Sequence, residues 1–176
     1  MITDATPVRV GGTDLFAPRV GLGTAVLGNF LQAISDADAV AVISHALASG
    51  VRYIDTAPLY GHGLAEQRTG MAIAGSPHAG LVVSTKVGRL LRAGAPRDET
   101  QYHDGISFYK EVPPAGPMWD FSYDGVRQSV EESLERTGRP WPRRAALAEA
   151  GGPGRGGRPW PRRPPASSGS HLSGAW

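Results

Sequence analysis

The chain has 176 residues, and its 18 Lys and Arg against 16 Asp and Glu give a formal net charge of +2. Its 24 Gly and 15 Pro together are an unusually large share of the residues. The absence of cysteine excludes disulfides, thiolate metal sites and cysteine nucleophiles. The chain has no run of about 18 apolar residues, the length that could span a membrane, and its N-terminus does not resemble a signal peptide. We therefore expect a cytoplasmic protein.

The first predicted elements are a hairpin, a strand and a helix. Apolar residues at 8–10 and 15–16 flank a Gly-rich turn, which predicts a short β-hairpin, and VGLG at 20–23 predicts a buried strand. A helix then begins at Ser35, because Ser35 and Asp38 have the spacing of a capping box and an acid there suits the helix dipole. The apolar face of this helix consists of Val40, Ile43, Ala46 and Leu47. Gly50 marks its C-terminal end.

Two further strand–helix pairs follow. Residues 51–55 predict a strand and 64–74 a helix; residues 81–86, which are apolar and β-branched, predict a third strand. After a long loop over 87–121, a third helix is predicted from Tyr123 to Thr137, closed by Gly138. Its apolar stripe is Val126, Val130 and Leu134.

Three strand–helix alternations predict an α/β fold with a parallel sheet. The next strand should follow the third helix, but the chain continues with Arg139, Pro140, Trp141 and Pro142. Proline lacks the N–H group that a central strand must donate, so we predict that no strand begins there.

The composition changes sharply near residue 138. Residues 139–176 hold seven Arg, one Glu, seven Gly and seven Pro, so this segment carries +6 and residues 1–138 carry 2 − 6 = −4. Its only Leu, Ile, Val or Phe residues are Leu147 and Leu172. Because so little apolar surface cannot offset the entropy of ordering, we predict a folded domain over 1–138 and a disordered tail over 139–176.

Polar residues stand at the carboxyl ends of the three predicted strands, the edge where α/β enzymes place their sites. Thr24 follows the first strand, Asp55 ends the second with Tyr60 five residues later, and Lys86 ends the third. A Tyr can act as a general acid near neutral pH if a neighbouring ammonium group favours its phenolate. A carboxylate beside that lysine would hold it charged and oriented.

Each of these residues also fits an ordinary structural role. Asp55 suits a turn, Tyr60 before Gly61 suits a turn aromatic, and Lys86 suits an exposed strand end. The motifs of other enzyme classes are absent from the sequence. A dinucleotide-binding turn has the pattern G-x-G-x-x-G, but Gly61 and Gly63 are followed by Glu66 where the third glycine would stand. The sequence also has no phosphate-binding loop, no serine nucleophile elbow and no cluster with metal-ligand spacing.

Residues 53–74, YIDTAPLYGHGLAEQRTGMAIA, closely resemble the signature of the aldo-keto reductases. GLGT at 21–24 and STKVGR at 84–89 occur in the order that this family uses. WDFSYDG, within 118–138, most resembles the branch of aldose and pyridoxal dehydrogenases. The resemblance covers about residues 7–138.

This resemblance implies a (β/α)8 barrel that transfers a hydride between NADP or NAD and a sugar or aldehyde carbonyl. Here the barrel would be incomplete, with the N-terminal hairpin and about three βα units, since a closed one has about 250 residues. Tyr60 would be the general acid/base, Lys86 its partner and Asp55 the carboxylate that supports Lys86. Gly23, Thr24 and Asp55 would lie near the nicotinamide, and Trp119 would line the substrate pocket.

The sequence departs from the family after residue 138. The family's catalytic histidine at the end of strand four has no counterpart, and we interpret His62 as a solvated loop residue. The phosphate and adenine contacts of the last strands are likewise not matched, so we expect impaired activity. We hypothesise that a frameshift near codon 138 produced the tail, which the other two reading frames of the gene would test.

Two alternatives belong to other functional classes. Seven arginines with Trp141 and Trp160 could bind nucleic acid, which would make binding steeply salt-dependent. Alternatively, the chain is a non-catalytic fragment that self-associates or aggregates through its open sheet edge, which size-exclusion chromatography would detect.

Overall fold

The computed structural model describes residues 6–74, 80–138 and 146–149. Three α-helices lie in this part of the chain: α1 (Asp36–Ala48), α2 (Leu64–Ile73) and α3 (Tyr123–Thr137). The strands are β1 (Pro7–Arg9), β2 (Phe16–Pro18), β3 (Leu22–Gly23), β4 (Tyr53–Asp55), β5 (Val82–Val87), β6 (Arg89–Ala93), β7 (Tyr102–His103), β8 (Ile106–Ser107), β9 (Ala115–Trp119) and β10 (Ala146–Glu149). None of the described helices is long and apolar enough to cross a lipid bilayer.

The central sheet contains β3, β4, β5 and β10, all parallel and adjacent in chain order. Helices α1, α2 and α3 connect successive strands of this sheet, and β1 and β2 form an antiparallel hairpin before it. This is the order of the first part of a (β/α)8 barrel. The predicted α/β class and incomplete barrel are therefore confirmed.

A fourth parallel strand follows α3, so the prediction that none does was wrong. β10 pairs with β5 from Ala146 opposite Ser84 to Glu149 opposite Val87. The prolines directly after α3 cannot donate to a ladder, but residues 146–149 contain neither Pro nor Gly and can satisfy the backbone groups at the edge of β5. The rest of the predicted disordered tail, 139–145 and 150–176, lies outside the described residues.

Helix α1 begins and ends where its sequence predicts. The Ser35 hydroxyl accepts a hydrogen bond from the Asp38 backbone N–H at 3.1 Å, as an N-cap should, and Gly50 adopts a positive φ of 98° just beyond the helix. Its inward face packs into the main apolar core, whose fully buried members are Leu27, Ala39, Ile43, Leu47, Ile54 and Ile73. This core fixes α1 and α2 against the back of β4.

The predicted loop over 87–121 contains regular structure, which corrects that expectation. β6 and β9 pair antiparallel over five positions, from Arg89 opposite Trp119 to Ala93 opposite Ala115, and β7 and β8 form a smaller hairpin between them. Pro117 within β9 is tolerated because this sheet has only two strands. These strands of two to five residues are too short to show a clear alternating pattern, and β9 also contains Gly116 and Pro117.

Helix α3 spans its predicted residues but buries a different face. Of the predicted stripe only Val130 is fully buried, whereas Val126 and Leu134 are half-buried. Small residues occupy the closest contacts instead, since Gly125, Ser129 and Ser133 are buried. They allow a close approach to the sheet, where the Ser129 hydroxyl accepts a hydrogen bond from the Gly88 backbone N–H at 3.2 Å.

Candidate active site

Asp55 and Lys86 meet at the carboxyl ends of β4 and β5. The Lys86 Nζ donates to Asp55 Oδ2 at 2.7 Å and to the Thr56 carbonyl oxygen at 3.1 Å. Asp55 pairs with Ser84 in the parallel register of β4 and β5. Lys86 is two residues after Ser84 in β5, so its side chain extends toward β4 to reach the Asp55 carboxylate. Both side chains are partly exposed, at 22% for Lys86 and 32% for Asp55, and the pair is therefore accessible to a ligand.

Tyr60 completes the group of three that the sequence predicted. The Lys86 ammonium lies 4.9 Å from the centroid of the Tyr60 ring. The turn that carries Tyr60 is held by a close approach between two glycine backbones, because a Cβ on Gly61 would clash with the Gly28 carbonyl oxygen. Gly61 also adopts a positive φ of 66°, a conformation that favours glycine.

We expect Gly28→Ala to destabilise the fold by about 1–3 kcal/mol, in the range of overpacked sites. A Cβ at Gly28 would lie 2.5 Å from the Tyr60 carbonyl carbon, which is backbone and has little room to move. Urea unfolding would measure the loss. Gly12→Ala is the matched control, because a Cβ there meets no described atom within 4 Å; equal losses in the two variants would contradict the prediction.

The surroundings of Lys86 favour its charged form. Burial alone lowers the pKa of Lys86, but the hydrogen bond to Asp55 and the contact with Tyr60 outweigh it, so that the pKa is raised above its ordinary value. An ammonium group that stays charged beside a phenol favours the phenolate of that phenol. The arrangement therefore places a lasting positive charge beside the Tyr60 ring, and the role of Tyr60 in proton transfer stays a prediction.

The raised pKa of Lys86 predicts a stability change at alkaline pH. A group whose pKa is higher in the folded state stabilises the fold fully below its unfolded-state pKa, about 10.4 for lysine. That contribution is lost as pH rises through the folded-state value. The difference in free energy of unfolding between wild type and Lys86→Met should therefore be constant near neutral pH and shrink above about pH 10.4. Urea unfolding across the alkaline range checks this, and a difference that never changes would contradict it.

Gly23 and Thr24, the predicted cofactor contacts, lie beside Asp55 in different settings. Gly23 is opposite Asp55 in the register of β3 and β4 and is exposed. Thr24 is fully buried, and both its backbone N–H and its hydroxyl donate to the Asp55 carbonyl oxygen at 3.0 Å. Thr24 thus fixes the backbone of Asp55, and its cofactor contact stays a prediction.

Trp119, the predicted substrate contact, lies at the end of the β6–β9 hairpin that follows Lys86. Its ring stacks on Phe121 with centroids 5.4 Å apart, and the Arg89 guanidinium carbon is 3.9 Å from the Trp119 ring centroid. Burial lowers the pKa of Arg89, although Asp98 and Tyr109 raise it. Trp119 is half-buried, and its substrate role stays a prediction.

The 87–121 segment also covers the turn after Tyr60, which the sequence did not indicate. His62 is partly buried and its Nε2 lies 2.9 Å from Gln101 Oε1, so its interpretation as a solvated loop residue was wrong. Tyr109 is buried beside it, with ring centroids 6.2 Å apart. Burial, with the nearby Tyr60, raises the pKa of Tyr109 to about 12, so this phenol stays protonated at neutral pH.

Two charged residues of α2 hold the site elements together, and the sequence analysis assigned them no role. The Glu66 carboxylate is fully buried, accepting from Arg136 Nε of α3 and from the Thr85 hydroxyl of β5, both at 2.6 Å. Arg68 is buried as well. Its guanidinium donates hydrogen bonds to the side chains of Asp36 and Asn29 and to the carbonyl oxygens of Leu27 and Ile34, which lie between β3 and α1. Glu66 and Arg68 are two residues apart and lie on different sides of α2, so helical periodicity gives no signal that would have found both.

Comparisons with known proteins agree with this architecture. D-threo-aldose 1-dehydrogenase of a Pseudomonas species is 41% identical over 135 residues, covering 76% of this chain and 40% of that protein. Pyridoxal 4-dehydrogenase of Microbacterium luteolum is 39% identical over 142 residues, covering 74% of this chain and 39% of that protein. The chain thus spans about two fifths of the length of these relatives.

Solved structures show the same relationship. The glycerol dehydrogenase of Gluconobacter oxydans superposes with a TM-score of 0.55 at 31% identity, covering 79% of this chain and 37% of that one. The holo form of an aldo-keto reductase from Bacillus halodurans superposes with a TM-score of 0.54 at 27% identity, covering 77% of this chain and 37% of that one. A model of the Aldo/keto reductase family matches residues 19–140, well over half of the sequence. The chain belongs to the Aldo/keto reductase family.

Proposed function

We propose that the chain is an NAD(P)-dependent oxidoreductase that transfers a hydride between a nicotinamide and the carbonyl of a sugar or aldehyde. The observation that carries this proposal is the contact of Lys86 with both Asp55 and Tyr60 at the carboxyl edge of the parallel sheet. A charged lysine beside an accessible phenol is suited to proton transfer at a carbonyl oxygen.

Each side chain has a definable part in this chemistry. In the direction of reduction, Tyr60 gives its hydroxyl proton to the carbonyl oxygen while the carbonyl carbon receives the hydride. Lys86 stabilises the phenolate that remains on Tyr60, and Asp55 keeps the Lys86 ammonium charged and close to the ring. In oxidation, Tyr60 as phenolate removes the proton of the alcohol.

Gly23 leaves open space for a side chain beside Asp55 at the edge of the sheet. No described atom lies within 4 Å of the position that a Cβ on Gly23 would take, and Gly23 pairs with Asp55 across the sheet. Gly23 and Asp55 would hold the nicotinamide of the cofactor there. When bound, this cofactor supplies or accepts the hydride.

The substrate class rests on the relatives. One of them is named for oxidising an aldose and another for oxidising pyridoxal. Trp119, from the segment after Lys86, is half-buried and stacked on Phe121, and we propose that its exposed part contacts such rings. The cytoplasmic location stays a prediction from the sequence.

A thermal melt with and without NADPH or NADH tests the proposal. A ligand that binds only the folded chain adds about 2.7 kcal/mol of stability at 100 times its Kd, so the midpoint should rise by several degrees. Turnover of aldoses and pyridoxal, followed by the change in nucleotide absorbance, is the second readout.

The control nucleotide is AMP, which lacks the nicotinamide. An equal shift with AMP would show binding that does not involve the proposed ring site. A melt that neither dinucleotide moves, together with no turnover, would contradict the proposed function.

A further inference from the structure

A chain of three hydroxyl and carboxyl groups lies behind the Asp55–Lys86 pair. The Ser84 hydroxyl is 2.7 Å from Asp55 Oδ1, and the Tyr53 hydroxyl is 3.0 Å from the Ser84 Oγ. Ser84 is buried, with 1% of its surface exposed. All three residues belong to the paired strands β4 and β5.

The direction of these hydrogen bonds follows from chemistry. An ionised carboxylate only accepts, so Ser84 must donate its single hydroxyl proton to Asp55 Oδ1. The Ser84 oxygen then has only lone pairs to offer toward Tyr53, so Tyr53 must be the donor of that contact. The two Asp55 oxygens thus have separate partners: Oδ1 accepts from Ser84, and Oδ2 accepts from Lys86.

We propose that Ser84 and Tyr53 are positioning residues, which lock the Asp55 carboxylate in the one orientation that aims Lys86 at Tyr60. This inference rests on the proposed function, since it describes how that site is held in place. It adds two residues whose side-chain hydrogen bonds go to Asp55 and to each other. Neither was indicated by the sequence.

The packing around Tyr53 supports a fixed rather than an incidental contact. A Cβ on Gly21 would lie 2.5 Å from Tyr53 Cδ1, so the ring lies flush against the Gly21 backbone. With the ring held there, its hydroxyl is directed to Ser84 without a large loss of rotamer entropy. A part-buried network in which every member has a hydrogen-bond partner is more rigid than free side chains, which is what a positioning role requires.

The titration of Lys86 is a readout that does not need catalysis. The chain has only two lysines, Lys86 and Lys110, so isotope-labelled lysine gives two sets of side-chain NMR signals. Among the described residues, the ionisable groups that act on Lys86 are Asp55 and Tyr60. If Asp55 is free to rotate, its hydrogen bond to Lys86 weakens. Burial, which lowers the pKa of Lys86, is then opposed less strongly.

We therefore expect Lys86 to titrate at lower pH in Ser84→Ala than in wild type. Tyr53→Phe, which removes only a hydroxyl, should shift it in the same direction by less. Thr85→Val is the matched control, because it removes a hydroxyl of the same strand that bonds to Glu66 instead, and it should leave the Lys86 titration unchanged.

Each outcome decides the proposal. An unchanged Lys86 titration in Ser84→Ala, or an equal shift in Thr85→Val, would overturn it. If Ser84→Ala does not fold, Tyr53→Phe alone decides in the same way. Because the wild-type and variant titrations are made without nucleotide or substrate, a failure of the proposed reductase activity would leave this result standing and would be recognised separately.

Discussion

Replacing Tyr60 with Phe is expected to lower the rate of nucleotide-dependent carbonyl reduction by about 10²–10⁴-fold, the usual contribution of a general acid. The variant keeps the ring beside the Lys86 ammonium, 4.9 Å from its centroid in the wild type, and removes only the proton donor. Steady-state turnover of an aldehyde or aldose with NADPH or NADH measures the effect.

The fold and the cofactor site should be unaffected by this change. Urea unfolding and the nucleotide-dependent rise in melting temperature are therefore expected to match the wild type. Tyr102→Phe is the matched control, because that phenol lies in the β7–β8 hairpin with Arg97 over its ring. A Tyr60→Phe variant with wild-type turnover would remove Tyr60 from the proposed chemistry.

Arg136→Met is expected to reduce the free energy of unfolding by about 3–5 kcal/mol, the range seen when one partner of a buried ion pair is removed. The Glu66 carboxylate has no exposed surface, and Arg136 Nε binds it at 2.6 Å. Without Arg136, a negative charge stays buried with the Thr85 hydroxyl as its remaining described hydrogen-bond donor. Urea unfolding followed by circular dichroism measures the loss.

Arg127→Met on the same helix is the control. Arg127 pairs with Glu131 at 2.9 Å, but both side chains are about half exposed, so solvent replaces the lost contact and stability should hardly change. In the Arg136→Met background, Glu66→Gln should recover part of the loss, because it removes the stranded charge. Equal losses for Arg136→Met and Arg127→Met would show that the buried pair has no special weight.

Local signals in the sequence predicted the helices well. Ser35 as N-cap, Gly50 beyond α1 and Gly138 at the end of α3 each act through backbone groups within a few residues, so their effect can be read without the fold. The apolar face of α3 was less well predicted. Close packing selected its small residues, Ser129 and Ser133, over two of the three larger ones.

The candidate site was predictable for a different reason. Asp55 and Lys86 end neighbouring parallel strands, and the carboxyl ends of such strands always meet at one edge of the sheet. Their proximity thus follows from strand order, whereas the 2.7 Å hydrogen bond itself is set by the side-chain orientations. Tyr60 was found because it lies only five residues after Asp55 along the chain.

The sequence by itself determined the first three strand–helix units and the three residues at the edge of the sheet, because these depend on local periodicity and on a general rule of parallel sheets. Only the tertiary structure decided the pairing of β10 with β5, the 89–119 hairpin over the site, the Glu66–Arg136 ion pair and the hydrogen-bond chain from Tyr53 through Ser84. The partners in these contacts lie between 22 residues apart, as Ala93 and Ala115, and 70 residues apart, as Glu66 and Arg136. At such separations no local pattern identifies the partner, and each pairing is chosen by which buried polar group must be satisfied and by which side chains fit together.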